Sequence, residues 1–157
     1  MKALMLSLFA VLAACQTTQS PAAPVVFSLQ DMKSGETYDS TVMQVPMVLE
    51  FYFNGCPACN SNAPNVAALA EEYHGTAAQI LEVSIDCDDD DYASWIRKHP
   101  SRAPVLNACD RSLTAELGVR AYPTTIVLDR EHKVVYRTTG VWSSAVKTRI
   151  KGLLRQQ

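Results

Sequence analysis

Cys56 and Cys59 stand two residues apart, with Pro57 and Ala58 between them and Gly55 before them. Two thiols at that spacing close a local disulfide and cycle between dithiol and disulfide. Residues 47–53 (MVLEFYF) are an apolar run holding one charge, and residues 59–74 place Val66, Leu69, Ala70 and Tyr73 at helical spacing. The pair therefore lies where a strand ends and a helix begins. There, free backbone N–H groups and the positive end of the helix dipole favour a thiolate over a thiol. Cys56 is the expected attacking sulfur. Cys59 is the expected resolving one, which breaks the mixed disulfide.

A cysteine pair at this spacing is also half of a zinc site, which needs two more ligands. Cys87 and Cys109 lie in different segments, and His74, His99 and His132 are scattered, so no metal or other cofactor is expected. Cys87 stands among Asp86, Asp88, Asp89 and Asp90, whose charges disfavour its thiolate and make it a poor nucleophile. Residues 88–91 read as the solvated start of a helix, since they lack the alternating ligands and glycine of a calcium loop.

The chain has 157 residues, 48% of them apolar, and five cysteines, which suits one domain with a real core. A formal charge of −2 offers no basic face, so nucleic acid is not an expected partner. Lys2 precedes a short apolar stretch, residues 3–14, that ends in Leu12-Ala13-Ala14-Cys15. The stretch is too short for a permanent span and suits an export signal. Its end resembles the lipobox of bacterial lipoproteins, which implies cleavage after residue 14, lipidation of Cys15 and anchoring at a membrane surface. Gln16 in the next position implies, by the same resemblance, the outer membrane more than the inner, with the domain facing the periplasm. Residues 15–24 form a polar, Pro-containing tether, and residues 25–157 the functional domain. An oxidising compartment and the even number of cysteines left after Cys15 point to a structural Cys87–Cys109 disulfide. Two separate buried thiols, or a relay pair exchanging with Cys56 and Cys59, are the alternatives.

The remaining elements follow from pattern. A strand or hairpin is expected near residues 25–29, with a turn at 33–36, and further strands at 79–85 and 104–107. Helices are expected from Asp88 to His99 and over 112–117, a β-hairpin over 124–129 and 133–138, and a closing helix over 143–155. This order implies an α/β fold: a mixed sheet with helices on both faces.

The span from about Val25 to Leu154 resembles the thioredoxin superfamily, and within it the TlpA/ResA-like periplasmic thiol–disulfide reductases. The resemblance rests on the Cys56–Cys59 pair and on Glu50, six residues earlier, where thioredoxins carry a buried acid. It rests also on Pro64 in the following helix, on residues 118–124 (GVRAYPT) leading into a cis-proline loop, and on Gly140 after the last strand. It implies a thioredoxin-like fold with an N-terminal hairpin and an inserted helix between residues 86 and 121. Glu50 then points opposite to Leu49 and Phe51, desolvated and raised in pKa, and handles the proton of Cys59. The competing arrangement is a sheet edge with Glu50 paired to a lysine or arginine. The resemblance implies a cis Pro123, with the Tyr122 backbone free to pair with an extended substrate strand. Gly55 departs from the family's tryptophan, and Pro57-Ala58 from its usual dipeptides, so the direction of electron flow is not readable. Implied partners are disulfide-containing exported proteins or cytochrome c maturation clients, with a membrane electron donor of the DsbD type. An oxidase or isomerase, or a metal- or partner-holding lipoprotein without catalysis, are the alternatives. A peroxidase is disfavoured by the lack of a Thr-x-x-Cys pattern.

Overall fold

The structure, a computed structural model, describes residues 23–156, so the expected export signal, Cys15 and most of the tether lie outside the described residues. A small antiparallel hairpin comes first, β1 (Ser28–Gln30) and β2 (Thr37–Asp39). Then follow β3 (Met47–Tyr52), α1 (Pro57–Glu72), β4 (Gln79–Ser84), α2 (Asp89–Lys98) and β5 (Val105–Asn107). The chain ends with α3 (Ser112–Glu116), β6 (Thr124–Leu128), β7 (Val134–Thr139) and α4 (Ser144–Arg155). The five-stranded sheet runs β5-β4-β3-β6-β7, with β3, β4 and β5 parallel and β6 and β7 antiparallel.

Strand β3 is central and covered on both faces, which is why it reads as a nearly unbroken apolar run. Met47, Leu49 and Phe51 enter one core with Val25 and Phe27 from the N-terminal segment, Leu113 of α3 and Leu117 just after it. Val48 and Tyr52 face the other side. There Val66 and Leu69 of α1, Trp95 of α2, and Ile150 and Leu153 of α4 close the second layer. Glu50 belongs by alternation to this second face, with both neighbouring strands paired to it. The sheet-edge arrangement is thereby corrected: Glu50 is interior and bonds to neutral side chains.

The hairpin covers the β5 edge. Met32 N–H donates to the Val105 carbonyl at 2.8 Å, and Val105 N–H donates to Asp31 Oδ1 at 2.8 Å. In the β6–β7 turn His132 takes φ 59°, doing there what a glycine would do more cheaply. Helix α1 begins two residues earlier than apolar spacing suggests, because Pro57 sits in its first turn and Cys56 caps it.

A disulfide joins Cys87, after β4, to Cys109, after β5, across a Cα separation of 5.0 Å. The bridge spans 22 residues, so Cys109→Ser is expected to lower stability by about 3 kcal/mol in denaturant titration. Turnover by Cys56 and Cys59 at low denaturant should remain. Lost turnover in folded Cys109→Ser would instead favour the relay arrangement.

Candidate active site

The carboxyl ends of parallel strands form the rim where α/β sheets place their ligands, and β3 delivers Cys56 to that rim. Cys56 is the N-cap of α1: Cys59 N–H donates to Cys56 Sγ at 3.1 Å. A thiolate at Cys56 inherits that donor and the helix dipole together. Cys56 and Cys59 are joined as a disulfide with Cα atoms 5.2 Å apart, at 4% and 2% exposure, so Cys59 is the deeper of the two.

The Tyr122–Pro123 peptide bond is cis, and the Tyr122 carbonyl oxygen lies 3.8 Å from Cys56 Sγ. Phe53 meets the Tyr122 ring edge to face at 5.7 Å. A Cβ on Gly55 would lie 3.6 Å from the Phe53 ring, so Phe53 walls the side of the loop where Gly55 offers nothing. Gly55 and Pro57 are exposed and Ala58 half-buried beside the sulfurs.

Glu50, on the same face of β3 as Tyr52, is 3% exposed. Its Oε1 accepts from Asn62 Nδ2 and its Oε2 from Thr125 Oγ1, each at 2.6 Å. Burial pushes its pKa up to about 7; the two donors pull the other way, and neighbouring Glu82 adds to the rise. Asn62 is one turn beyond Cys59 on the same face of α1, which ties Glu50 to Cys59's side of the helix. The Asn62 Oδ1 accepts from Trp142 N–H at 2.9 Å and Asn65 Nδ2 at 3.0 Å, while Trp142 Nε1 donates to Thr125 Oγ1 at 2.6 Å.

Asn62, Thr125, Trp142 and Glu82 are absent from the sequence reading, although two carried a signal. Extending the α1 stripe from Val66 back by one turn lands on Asn62, a polar residue on a buried face. Glu82 interrupts the apolar run QILEVS as Glu50 interrupts MVLEFY, and the two acids are register partners on parallel strands. Thr125 and Trp142 meet Glu50 and Asn62 only through the fold, since they lie 75 and 80 residues away from those partners. Removing the Asn62 amide should raise the Glu50 pKa above about 7, because one of the two donors that stabilise the carboxylate is lost. An NMR titration of Asn62→Ala, following the Glu50 side-chain carbon, measures this; an unmoved or lowered midpoint contradicts the geometry.

The sequence profile of the AhpC/TSA family matches residues 21–137. A curated relative, chloroplastic thioredoxin F-type from Spinacia oleracea, is 28% identical over 95 residues. That alignment covers 60% of this chain and 37% of the spinach protein, so the chain spans little more than a third of its length. Among solved structures, a thiol:disulfide interchange protein DsbE from Chlorobium tepidum superposes with a TM-score of 0.75 at 20% identity, covering 87% of this chain and 96% of that one. The exposed lipoprotein thioredoxin of Streptococcus pneumoniae gives 0.71 at 24% identity, covering 84% of this chain and 99% of that one. These structures speak for the fold. Family profile and superposition agree: the chain belongs to the AhpC/TSA family and has a thioredoxin-like fold, with the Cys56–Cys59 disulfide at the start of α1.

Proposed function

We propose that this chain is a membrane-anchored periplasmic oxidoreductase that reduces disulfides in exported proteins or cytochrome c maturation clients. One observation carries the reading: Cys56 caps α1, with the Cys59 N–H aimed at its sulfur. In the reduced enzyme, the Cys56 thiolate attacks one sulfur of the client disulfide. A mixed disulfide forms, and the other client sulfur leaves as a thiolate that takes up a proton. Cys59 then gives its proton to Glu50, and its thiolate attacks Cys56 Sγ. The second client thiol is released, and the enzyme is left with the Cys56–Cys59 disulfide. A client segment lying extended beside the loop pairs with the Tyr122 backbone, next to Pro123. A membrane donor of the DsbD type returns the electron pair.

The anchor rests on the lipobox-like residues ending in Cys15, and by the Gln16 rule the outer membrane is the favoured surface. Among the described residues no helix is long and apolar enough to cross a membrane. A lipoprotein among the structural neighbours, the Streptococcus pneumoniae thioredoxin, supports that arrangement by analogy.

Insulin reduction tests the reading, with turnover expected in the wild type and lost in Cys56→Ser. The equilibrium potential of Cys56–Cys59 against a glutathione or thioredoxin couple separates reductase from oxidase. A reductase is expected near the thioredoxin range, about −270 mV, and a value near DsbA's, about −120 mV, transfers the assignment to an oxidase.

A further inference from the structure

Helix α2 places Asp91, Trp95 and His99 at successive four-residue steps, so the three share one face, the last as the C-cap. Each is engaged on the elements around Cys56. Asp91 Oδ1 accepts from Asn54 Nδ2 at 2.9 Å, two residues before Cys56. Trp95 stacks on Tyr52, the last residue of β3, at 3.9 Å, and its Nε1 donates to Glu82 Oε2 at 2.6 Å. His99 Nε2 lies 2.8 Å from Asn60 Oδ1. Asn60 Nδ2 in turn donates to the Cys56 carbonyl at 2.7 Å, and reaches the Asn54 carbonyl at 3.5 Å.

The Asn60 amide nitrogen is committed to carbonyls, so its oxygen is the acceptor and His99 Nε2 must carry a hydrogen. Burial and, less strongly, neighbouring Lys98 lower the His99 pKa, so near neutral pH the donor is the N–H of a neutral imidazole. Gly55 has no side chain with which to hold the loop that precedes the disulfide.

We propose that His99 is a positioning residue for Cys56: through Asn60 it fixes the turn that aims the Cys56 sulfur at the Cys59 N–H. Helix α2 thus braces the reactive loop from outside, gripping Asn54 at its first turn and Asn60 at its last. A loosened turn leaves the thiolate with a less well aimed donor, so the thiol ionises less readily. The proposal rests on the reading of Cys56 as the attacking sulfur.

The test is the alkylation of fully reduced protein by iodoacetamide across pH, with the modified cysteine identified by peptide mass. His99→Leu is expected to slow Cys56 alkylation near neutral pH about fivefold and to raise the midpoint of its pH profile. Asn60→Ala should give the same loss, and the double variant no more than either alone, because both break one strut. His99→Gln, whose amide reaches the same oxygen, should keep most of the wild-type rate. A role confined to stability would lower the melting temperature and leave the alkylation midpoint in place. Unmoved profiles in folded His99→Leu and Asn60→Ala, additive losses, or failure of His99→Gln to retain the rate each overturn the proposal. Where His99→Leu does not fold, Asn60→Ala decides alone. If instead Cys56→Ser keeps its insulin turnover, it is the underlying reading that falls.

Discussion

Cys59→Ser is expected to abolish turnover and leave the protein covalently joined to client through Cys56. The asymmetry follows from position. Cys56 caps α1 and receives the Cys59 N–H, which is a backbone group and survives the substitution. The first exchange step therefore proceeds in Cys59→Ser, and only the resolving sulfur is missing. Cys56→Ser removes the attacking sulfur and should show neither turnover nor trapped client. Non-reducing electrophoresis of extracts of cells making each variant reads the difference as adducts present in one variant and absent in the other. Equal adducts in both, or adducts through Cys56→Ser alone, would assign the roles the other way round. Adducts formed through Cys87 or Cys109 would move the reactive pair to the other disulfide.

Glu50→Gln should have the second largest effect, and it has two separable signatures. The Glu50 pKa is about 7 in the folded protein against 4.5 for the unperturbed group. Below both values the carboxyl is protonated in folded and unfolded chains alike, and burial carries no electrostatic penalty. As pH rises from 4.5 to about 7, the unfolded chain ionises while the buried carboxyl keeps its proton, so stability falls by about 3 kcal/mol across that window and levels off above it. Glu82 is shifted in the same direction, also chiefly by burial, so the wild type should be more stable in mild acid than in alkali. Glutamine retains an acceptor for Asn62, and the Thr125 hydroxyl can turn to accept from the new amide. The stability of Glu50→Gln relative to wild type should therefore rise by about 3 kcal/mol between a pH below 4.5 and one above about 7. A pH-independent difference contradicts this. The kinetic signature lies in resolution alone: decay of a preformed mixed disulfide should slow about a hundredfold near neutral pH. The initial attack by Cys56 should be nearly unchanged.

Much of this site was legible in the residues, because its parts are local. The Cys56–Cys59 spacing, the strand before it and the helix after it occupy one continuous segment, and β3 reads as buried because it is central. Helix α2 was announced by Asp88, which caps it through Asp90 N–H, and by Arg97 and Lys98 in its last turn. The environment of Glu50 was not legible. Its partners Asn62 and Thr125 arrive from α1 and β6, and Trp142, which bonds both of them, from the loop before α4, so which polar side chain meets which carboxylate depends on register that only the folded sheet sets. The brace on Cys56 was hidden for a related reason: His99 reads as a cation at a helix end until α2 packs its Asp91-Trp95-His99 face toward the Cys56 loop. The left-handed His132 in the β6–β7 turn has no sequence signal of its own, since glycine is the residue that ordinarily marks such a position.

In the proposed mechanism the Cys56 sulfur is ionised by its place at the start of α1. The rate of Cys56 alkylation as a function of pH, measured on the reduced protein, reads this ionisation. The Cys56 midpoint is expected well below the value of a free thiol, about 8.5, with a smaller population of thiolate at Cys59 throughout. A Cys56 midpoint at or above that of free cysteine would contradict it.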